Sequence, residues 1–157
     1  PERIAETVRF TAPLLPQDRP RYLMGVGYPR DIAMAVAAGV DMFDCVLPTR
    51  NGRNALAFTR QGTLRLRNAR FADDQAPIEA DCDCETCAGG FSRAYLRHLF
   101  QAGEMLGPTL VSLHNVRLYQ RLMLDIRAAI GCNAWSGLES AWPCLRETPN
   151  DTHGDEP

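Results

Sequence analysis

The apolar positions of this chain fall into short blocks, and the spacing inside each block predicts a different element. Residues 4 to 15 carry the pattern of a partial helix that breaks at Pro13 and Pro16, because proline lacks the amide that a helix interior needs. Arg21 to Val26 (RYLMGV) is a short apolar run around Gly25-Val-Gly27, which reads as a buried strand followed by a tight turn. Asp31 to Gly39 is alanine-rich and predicts a helix with Gly39 as its stop. Val40 to Leu47 (VDMFDCVL) predicts a second buried strand, ended by Pro48. Strand, short helix and strand within about 25 residues form a βαβ unit, whose strands are expected to be parallel.

The pattern then changes. Asn54 to Thr59, Gln61-Gly62 and Thr63 to Arg67 predict a β-hairpin, with clean alternation in Leu64-Arg65-Leu66-Arg67. Ser92 is placed to cap a helix running to about Ala102, with Tyr95, Leu96, Leu99 and Phe100 on one face and Gly103 after it. A last helix is predicted from about Asn115 to Ile130, because Leu118, Leu122, Ile126 and Ile130 recur every four residues before Gly131. Residues 132–157 hold Trp135, Trp142, Cys132 and Cys144 without a period, and their polar end TPNDTHGDEP is expected to be disordered.

Length limits what these elements can build. At 157 residues and 45% hydrophobic composition, the chain suits one domain with a core, whereas a complete (β/α)8 barrel takes roughly 200 residues or more. No apolar run approaches the about 20 residues that span a bilayer, and the start PERIAETVRF lacks a signal-peptide core. The expectation is a cytoplasmic protein with no membrane partner. The net charge is −2, yet all 17 basic residues are arginine. Arg50, Arg53, Arg60, Arg65, Arg67 and Arg70 crowd one stretch, while acids collect at Asp73-Asp74 and between Asp81 and Glu85. The planar guanidinium donates two hydrogen bonds to one phosphate, so the clustering points to a local anionic partner.

Six cysteines without a secretion signal argue against disulfides. Three of them form Cys82-Asp-Cys84-Glu-Thr-Cys87, and three thiolates within six residues are an incomplete tetrahedral set. The fourth ligand must come from His98, His114, Cys45, Cys132 or Cys144. His98 falls mid-helix, and His114, just before the last helix where it can turn back onto the loop, is the favoured one. A closed Cys₃His set leaves no position for water, so the expected cofactor is one structural Zn²⁺ per chain, holding a loop-rich segment that buries little apolar surface. The acids between the cysteines are expected to face solvent.

Asp44 stands near the end of an apolar strand, where parallel α/β folds gather their chemistry and where a carboxylate is costly to bury. It reads either as a reacting group or as a carboxylate paired with Arg50 or Arg53, and Asp41 is the weaker candidate.

The segment MFDCVLPTRNGRN (residues 42–54) closely resembles the nucleophile segment of the bacterial tRNA-guanine transglycosylases, also called queuine tRNA-ribosyltransferases. The resemblance continues through YLMGVG (22–27), RNARF (67–71), the cysteine cluster, SRAY (92–95), AGEMLG (102–107) and His114-Asn115, in order and over roughly residues 20 to 131. It implies an α/β fold, the C-terminal part of a (β/α)8 barrel with an inserted zinc-binding subdomain. Residues 1–50 would carry the last βαβ strands of the barrel, 51–113 the zinc subdomain with its hairpin and helix, 114–131 the closing helix and 132–157 an atypical tail expected to be disordered. The implied activity exchanges guanine at the anticodon wobble position for a 7-deazaguanine through a covalent aspartyl–ribosyl intermediate on Asp44. Cys82, Cys84, Cys87 and His114 match the zinc ligands, and Tyr22, Met24 and Gly25 match the base pocket. Gly25, Val26, Gly27, Tyr28, Pro29, Arg30 and Asp31, then Thr49, Arg50, Asn51, Gly52 and Arg53, match segments that contact the anticodon loop. A homodimer is implied for the full-length enzyme, with Phe91, Tyr95 and Leu99 as interface or core. The upstream acid/base aspartate has no counterpart in this chain, so the chain alone is expected to be inactive. A non-catalytic, zinc-dependent tRNA-binding module is the alternative.

Overall fold

The computed structural model describes residues 2–146. Helix α1 (Glu2–Thr11) runs into a 3-10 turn (Ala12–Leu14) at Pro13, and its Val8 and Ala12 pack with Ala35 and Val40. Strand β1 (Tyr22–Met24), helix α2 (Pro29–Ala37) and strand β2 (Met42–Asp44) follow. The strands pair in parallel, Tyr22 with Met42, Leu23 with Phe43 and Met24 with Asp44, which is the expected βαβ unit. Gly39 closes α2 with a φ of +97°, a conformation that costs glycine little.

The strands are not buried as expected. Leu23 and Phe43 turn toward the α1–α2 core, but Tyr22, Met24 and Met42 on the opposite face are 50%, 71% and 51% exposed. Side chains alternate across a strand, and in a two-stranded sheet helices cover one face only. Nor does Pro48 simply end a strand. It lies in the first turn of helix α3 (Leu47–Arg53), where a missing amide has no partner to lose.

The hairpin forms as predicted. Strand β3 (Leu56–Thr59) pairs antiparallel with β4 (Gly62–Arg65), Thr59 opposite Gly62. The Thr59 hydroxyl pins the two-residue turn, donating to the Gly62 carbonyl at 3.0 Å and accepting from the Gln61 amide at 3.2 Å. A short 3-10 turn (Ala69–Phe71) and a long loop lead to helix α4 (Glu85–Ala88) and helix α5 (Arg93–Ala102). The Ser92 hydroxyl accepts from the Tyr95 amide, and Gly103 ends α5 in the left-handed conformation at φ +74°. Leu96, Leu99 and Phe100 are buried, whereas Tyr95 is 42% exposed and stacks on Phe91.

Helix α6 spans Leu106–Gly131 and begins nine residues before the first residue predicted for it. Gly107-Pro108 sits in the first turn, where proline is tolerated. Leu118, Leu122 and Ile126 are each 1% exposed, but Ile130, the last of the series, faces solvent at 58%. α6 is the spine of the fold. Its first half packs on α3, β3, α4 and α5, and its second half on helix α7 (Trp135–Ala141). Among the described residues, no helix is long and apolar enough to cross a membrane.

The expected disordered tail is corrected over residues 132–146. α7 and a 3-10 turn (Pro143–Leu145) fold back on the body, and Trp142 is fully buried. Its indole N–H donates to Asp125 at 2.8 Å, the Arg60 guanidinium lies 5.1 Å from its ring centroid, and the Cys144 amide donates to the Arg60 carbonyl. These contacts are long-range, so no local period marks them. The polar end from Thr148 onward lies outside the described residues.

Candidate metal centre and strand-end carboxylate

Three elements deliver the metal-ligating side chains. Cys82 ends the long loop, Cys84 caps α4, and Cys87 lies one turn later inside it, its amide donating to the Cys84 sulfur at 3.3 Å. α6 delivers His114, whose Nδ1 stands 3.6, 3.5 and 3.4 Å from the sulfurs of Cys82, Cys84 and Cys87. All four ligand atoms lie within 4.8 Å of one another. A four-coordinate tetrahedral ion with bonds of about 2.3 Å to sulfur and about 2.05 Å to nitrogen separates sulfur from nitrogen by about 3.5 Å. The cluster therefore fits one metal ion.

The surroundings orient it. His114 is fully buried, and its Nε2–H donates to the Phe58 carbonyl at 2.8 Å, which leaves the lone pair of Nδ1 for an ion. Burial works against a charged imidazole, but hydrogen bonds with Cys82 and Cys84 and with Phe58 outweigh it and raise His114 to about 9, so a proton and an ion compete for Nδ1 and binding the ion releases the proton. The Cys84 thiol is pulled well down, chiefly by the hydrogen bond from the Cys87 side chain. Cys87 is pushed up as the donor of that bond and by burial. Thr86, between them, is buried and donates to the Leu110 carbonyl at 2.6 Å, fastening α4 to α6.

Of the two acids between the cysteines, Glu85 is exposed as expected, but Asp83 does more than face solvent. Asp83, half-exposed, takes both prongs of the Arg117 fork, with Arg121 3.6 Å away. Those pairs hold its carboxyl down to about 2 and tie the cysteine loop to α6. His98 is exposed on α5, away from the cluster.

At the other end of the unit, Asp44 is the last residue of β2 and lies opposite Met24. Neither Arg50 nor Arg53 pairs with it. Its Oδ1 accepts a 2.6 Å hydrogen bond from the Tyr22 hydroxyl on the neighbouring strand, and among the described residues this is the hydrogen bond of its side chain. That bond, with burial and the negative charge behind it, raises the Tyr22 phenol above its ordinary value. Tyr22, Met24 and Asp44 thus share one open face at the carboxyl ends of two parallel strands. Gly25 follows directly, its amide donating to the Asp44 carbonyl at 3.0 Å. Between the end of β2 and α6, a cavity of about 530 Å³ is lined by Val26, Phe43, Asp44, Cys45, Tyr119 and Met123 among others.

The two segments expected to meet RNA divide by exposure. Tyr28, Thr49, Arg50 and Arg53 are exposed, Val26, Arg30 and Asn51 are half-buried, and Gly27, Pro29, Asp31 and Gly52 are buried. Asp31 pairs with Arg30 at 3.4 Å. Gly52 meets α6 so closely that an added Cβ would stand 2.6–2.9 Å from Ser112. Three of the six crowded arginines also contact aromatic rings. Arg60, Arg67 and Arg70 lie over the rings of Trp142, Phe100 and Phe71, although Arg67 and Arg70 remain exposed. Asn115 escaped the sequence reading as a working residue. A polar residue on the apolar face of α6, beside His114, was the available signal.

The family model for queuine tRNA-ribosyltransferase matches residues 1–142, beyond both ends of the motif series and through α7. Curated proteins named queuine tRNA-ribosyltransferase align closely. That of Nitrosomonas europaea is 62% identical over 123 residues, covering 78% of this chain and 33% of the relative. That of Thiobacillus denitrificans is 58% identical over 126 residues (80% and 34%), and that of Gluconacetobacter diazotrophicus 55% over 146 residues (90% and 37%). The chain thus spans about a third of the length of the curated relatives it matches. With the match running through both the strand-end aspartate and the metal cluster, the chain belongs to the queuine tRNA-ribosyltransferase family.

Proposed function

We propose that this chain is the segment of a tRNA-guanine transglycosylase that carries the nucleophile and the zinc centre, and that it works joined to further barrel strands. The observation that carries the reading is Asp44, open at the carboxyl end of a parallel strand and held at one oxygen by Tyr22. An Asp44 oxygen attacks C1′ of the wobble ribose, and the bond from C1′ to N9 of guanine breaks. The departing guanine takes up a proton from a general acid outside this chain; the aspartyl–ribosyl ester then accepts N9 of a 7-deazaguanine, whose N9 proton returns to that group, and the carboxylate leaves. Two displacements restore the configuration, and no energy input is needed because one glycosidic bond replaces another. Tyr22 orients the carboxylate, while Met24 and Gly25 form the floor and edge of the base pocket. From Gly25–Asp31 and Thr49–Arg53, the exposed Tyr28, Thr49, Arg50 and Arg53 meet the splayed anticodon loop, since RNA is read mainly in single-stranded loops. Zn²⁺ is the resident ion, because a closed, thiolate-rich tetrahedral set suits it and leaves no site for water. It acts structurally, holding the loop and α4 against α6. The assembled enzyme is a cytoplasmic homodimer, with the exposed, stacked Tyr95 at its interface.

The test joins this chain in frame to the upstream two-thirds of the Nitrosomonas europaea relative. The chimera is incubated with an anticodon stem-loop and a 7-deazaguanine analogue that stalls the intermediate. A covalent band on a denaturing gel, lost in Asp44→Asn, is the expected result. RNA binding without a band would replace the reading by the non-catalytic module.

A further inference from the structure

His114 and Asn115 are consecutive on α6 and grip the same residue of β3. The His114 ring donates to the Phe58 carbonyl at 2.8 Å, and the Asn115 Oδ1 accepts from the Phe58 amide at 2.9 Å. Asn115 is fully buried. Its Nδ2 donates to the Leu56 carbonyl at 3.0 Å and to the Pro48 carbonyl at 2.9 Å. One amide thus uses its acceptor and both of its donors, and the partners fix which end is oxygen. Pro48 lies in the first turn of α3, four residues beyond Asp44. The stretch between them is held at its start by the ladder of β1 and β2 and at its end by Asn115.

We propose that Asn115 is a positioning residue that couples the metal centre to the geometry of Asp44 and α3. His114 seats α6 against the cysteine loop and β3. Asn115, one residue on, carries that placement to the Pro48 carbonyl, and so to the point where the strand end turns into the helix bearing Thr49, Arg50 and Arg53. No other side chain of its length provides one acceptor and two donors. An aspartate has the same outline but would turn two donated bonds into oxygen–oxygen contacts. The catalytic half of this inference rests on the transglycosylase reading; the structural half does not.

The experiment compares Asn115→Asp with the parent in two settings. In the chimera, the rate constant for single-turnover trapping of RNA on Asp44, per metal-loaded molecule, is expected to fall about 100-fold, the loss that a misplacement near 1 Å can cause. Metal content is expected to stay at one ion per chain. In the chain itself, hydrogen exchange at the Arg50 and Asn54 amides, bonded to the Val46 and Asn51 carbonyls, is expected to quicken at least tenfold. The Leu96 amide in α5 serves as the unaffected reference. A residue that merely supported folding would speed exchange everywhere and leave the trapping rate per folded molecule unchanged, and that pattern would overturn the proposal. Failure of the parent chimera to trap RNA would sink the transglycosylase reading and leave the exchange data to decide the coupling. Should Asn115→Asp not fold, Asn115→Ser keeps one donor and one acceptor on a shorter arm. It is expected to show the same two effects at smaller size, and their absence overturns the proposal equally.

Discussion

Replacing Gly52 by alanine sets two opposed effects against each other at one methyl group. Gly52 lies within α3 at an ordinary helical φ, so alanine should favour the helix by about 0.5–1 kcal/mol. The added Cβ, however, would stand 2.6 Å from the Ser112 Oγ, 2.8 Å from its amide nitrogen and 2.9 Å from its Cα. Ordinary contacts begin near 3.5 Å, so the methyl overlaps its neighbours by about 0.6–0.9 Å. Two of the three are backbone of α6, and the neighbouring Leu110 and Val111 are locked in the core around the cysteine cluster. Overpacking of this kind costs about 1–3 kcal/mol. The clash therefore outweighs the propensity, and a net loss of about 1–2 kcal/mol is expected from urea denaturation of the metal-loaded chain. Adding Ser112→Gly removes the Oγ contact only, so it should recover less than half of the loss. A Gly52→Ala chain as stable as the parent would refute the packing argument and return Gly52 to the RNA surface, where only affinity for the stem-loop would suffer.

Other outcomes follow from the same packing and hydrogen bonds. Trp142→Ala should cost about 3–5 kcal/mol, and Trp142→Phe, which leaves Asp125 without its indole donor, about 1–3 kcal/mol; denaturant midpoints check both, and an unchanged midpoint would mean that α7 does not clasp the body. Chelation of the metal should abolish exchange protection in the β3–β4 hairpin and α4 and restore it at one zinc ion per chain, because structural metal binding is folding free energy; a metal-free chain with unchanged protection would sink the structural role. The hydrogen bond from Tyr22 to Asp44 raises the phenol's pKa, so its stabilisation is complete below the ordinary tyrosine value of about 10 and is lost as pH rises through the raised value. Ultraviolet titration, with Tyr22→Phe identifying the residue, should show Asp44→Asn returning that phenol toward 10, and an unshifted Tyr22 in the parent would contradict the bond.

Much of this protein is written locally. The βαβ unit follows from two apolar runs around an alanine-rich helix, the hairpin from the alternation in residues 64–67, and α5 from Ser92 and Gly103. These signals act between residues a few positions apart, so the chain itself carries them. The cysteine cluster is equally legible, since three thiolates within six residues leave few other uses.

Tertiary structure decided what depends on distant partners. It chose His114 over the other ligand candidates, because only α6, crossing the loop, could bring that ring within 3.4–3.6 Å of three sulfurs. It gave Asp44 a tyrosine instead of an arginine, since parallel pairing sets Tyr22 diagonally across from it, two registers below Met24. It stacked three of the crowded arginines on aromatic rings and buried the aperiodic Trp142. Helical and strand periodicity report only which face of an element is apolar. Which surface meets that face, and which buried polar group finds its partner there, is fixed when desolvation forces every donor and acceptor in the interior to be matched at once.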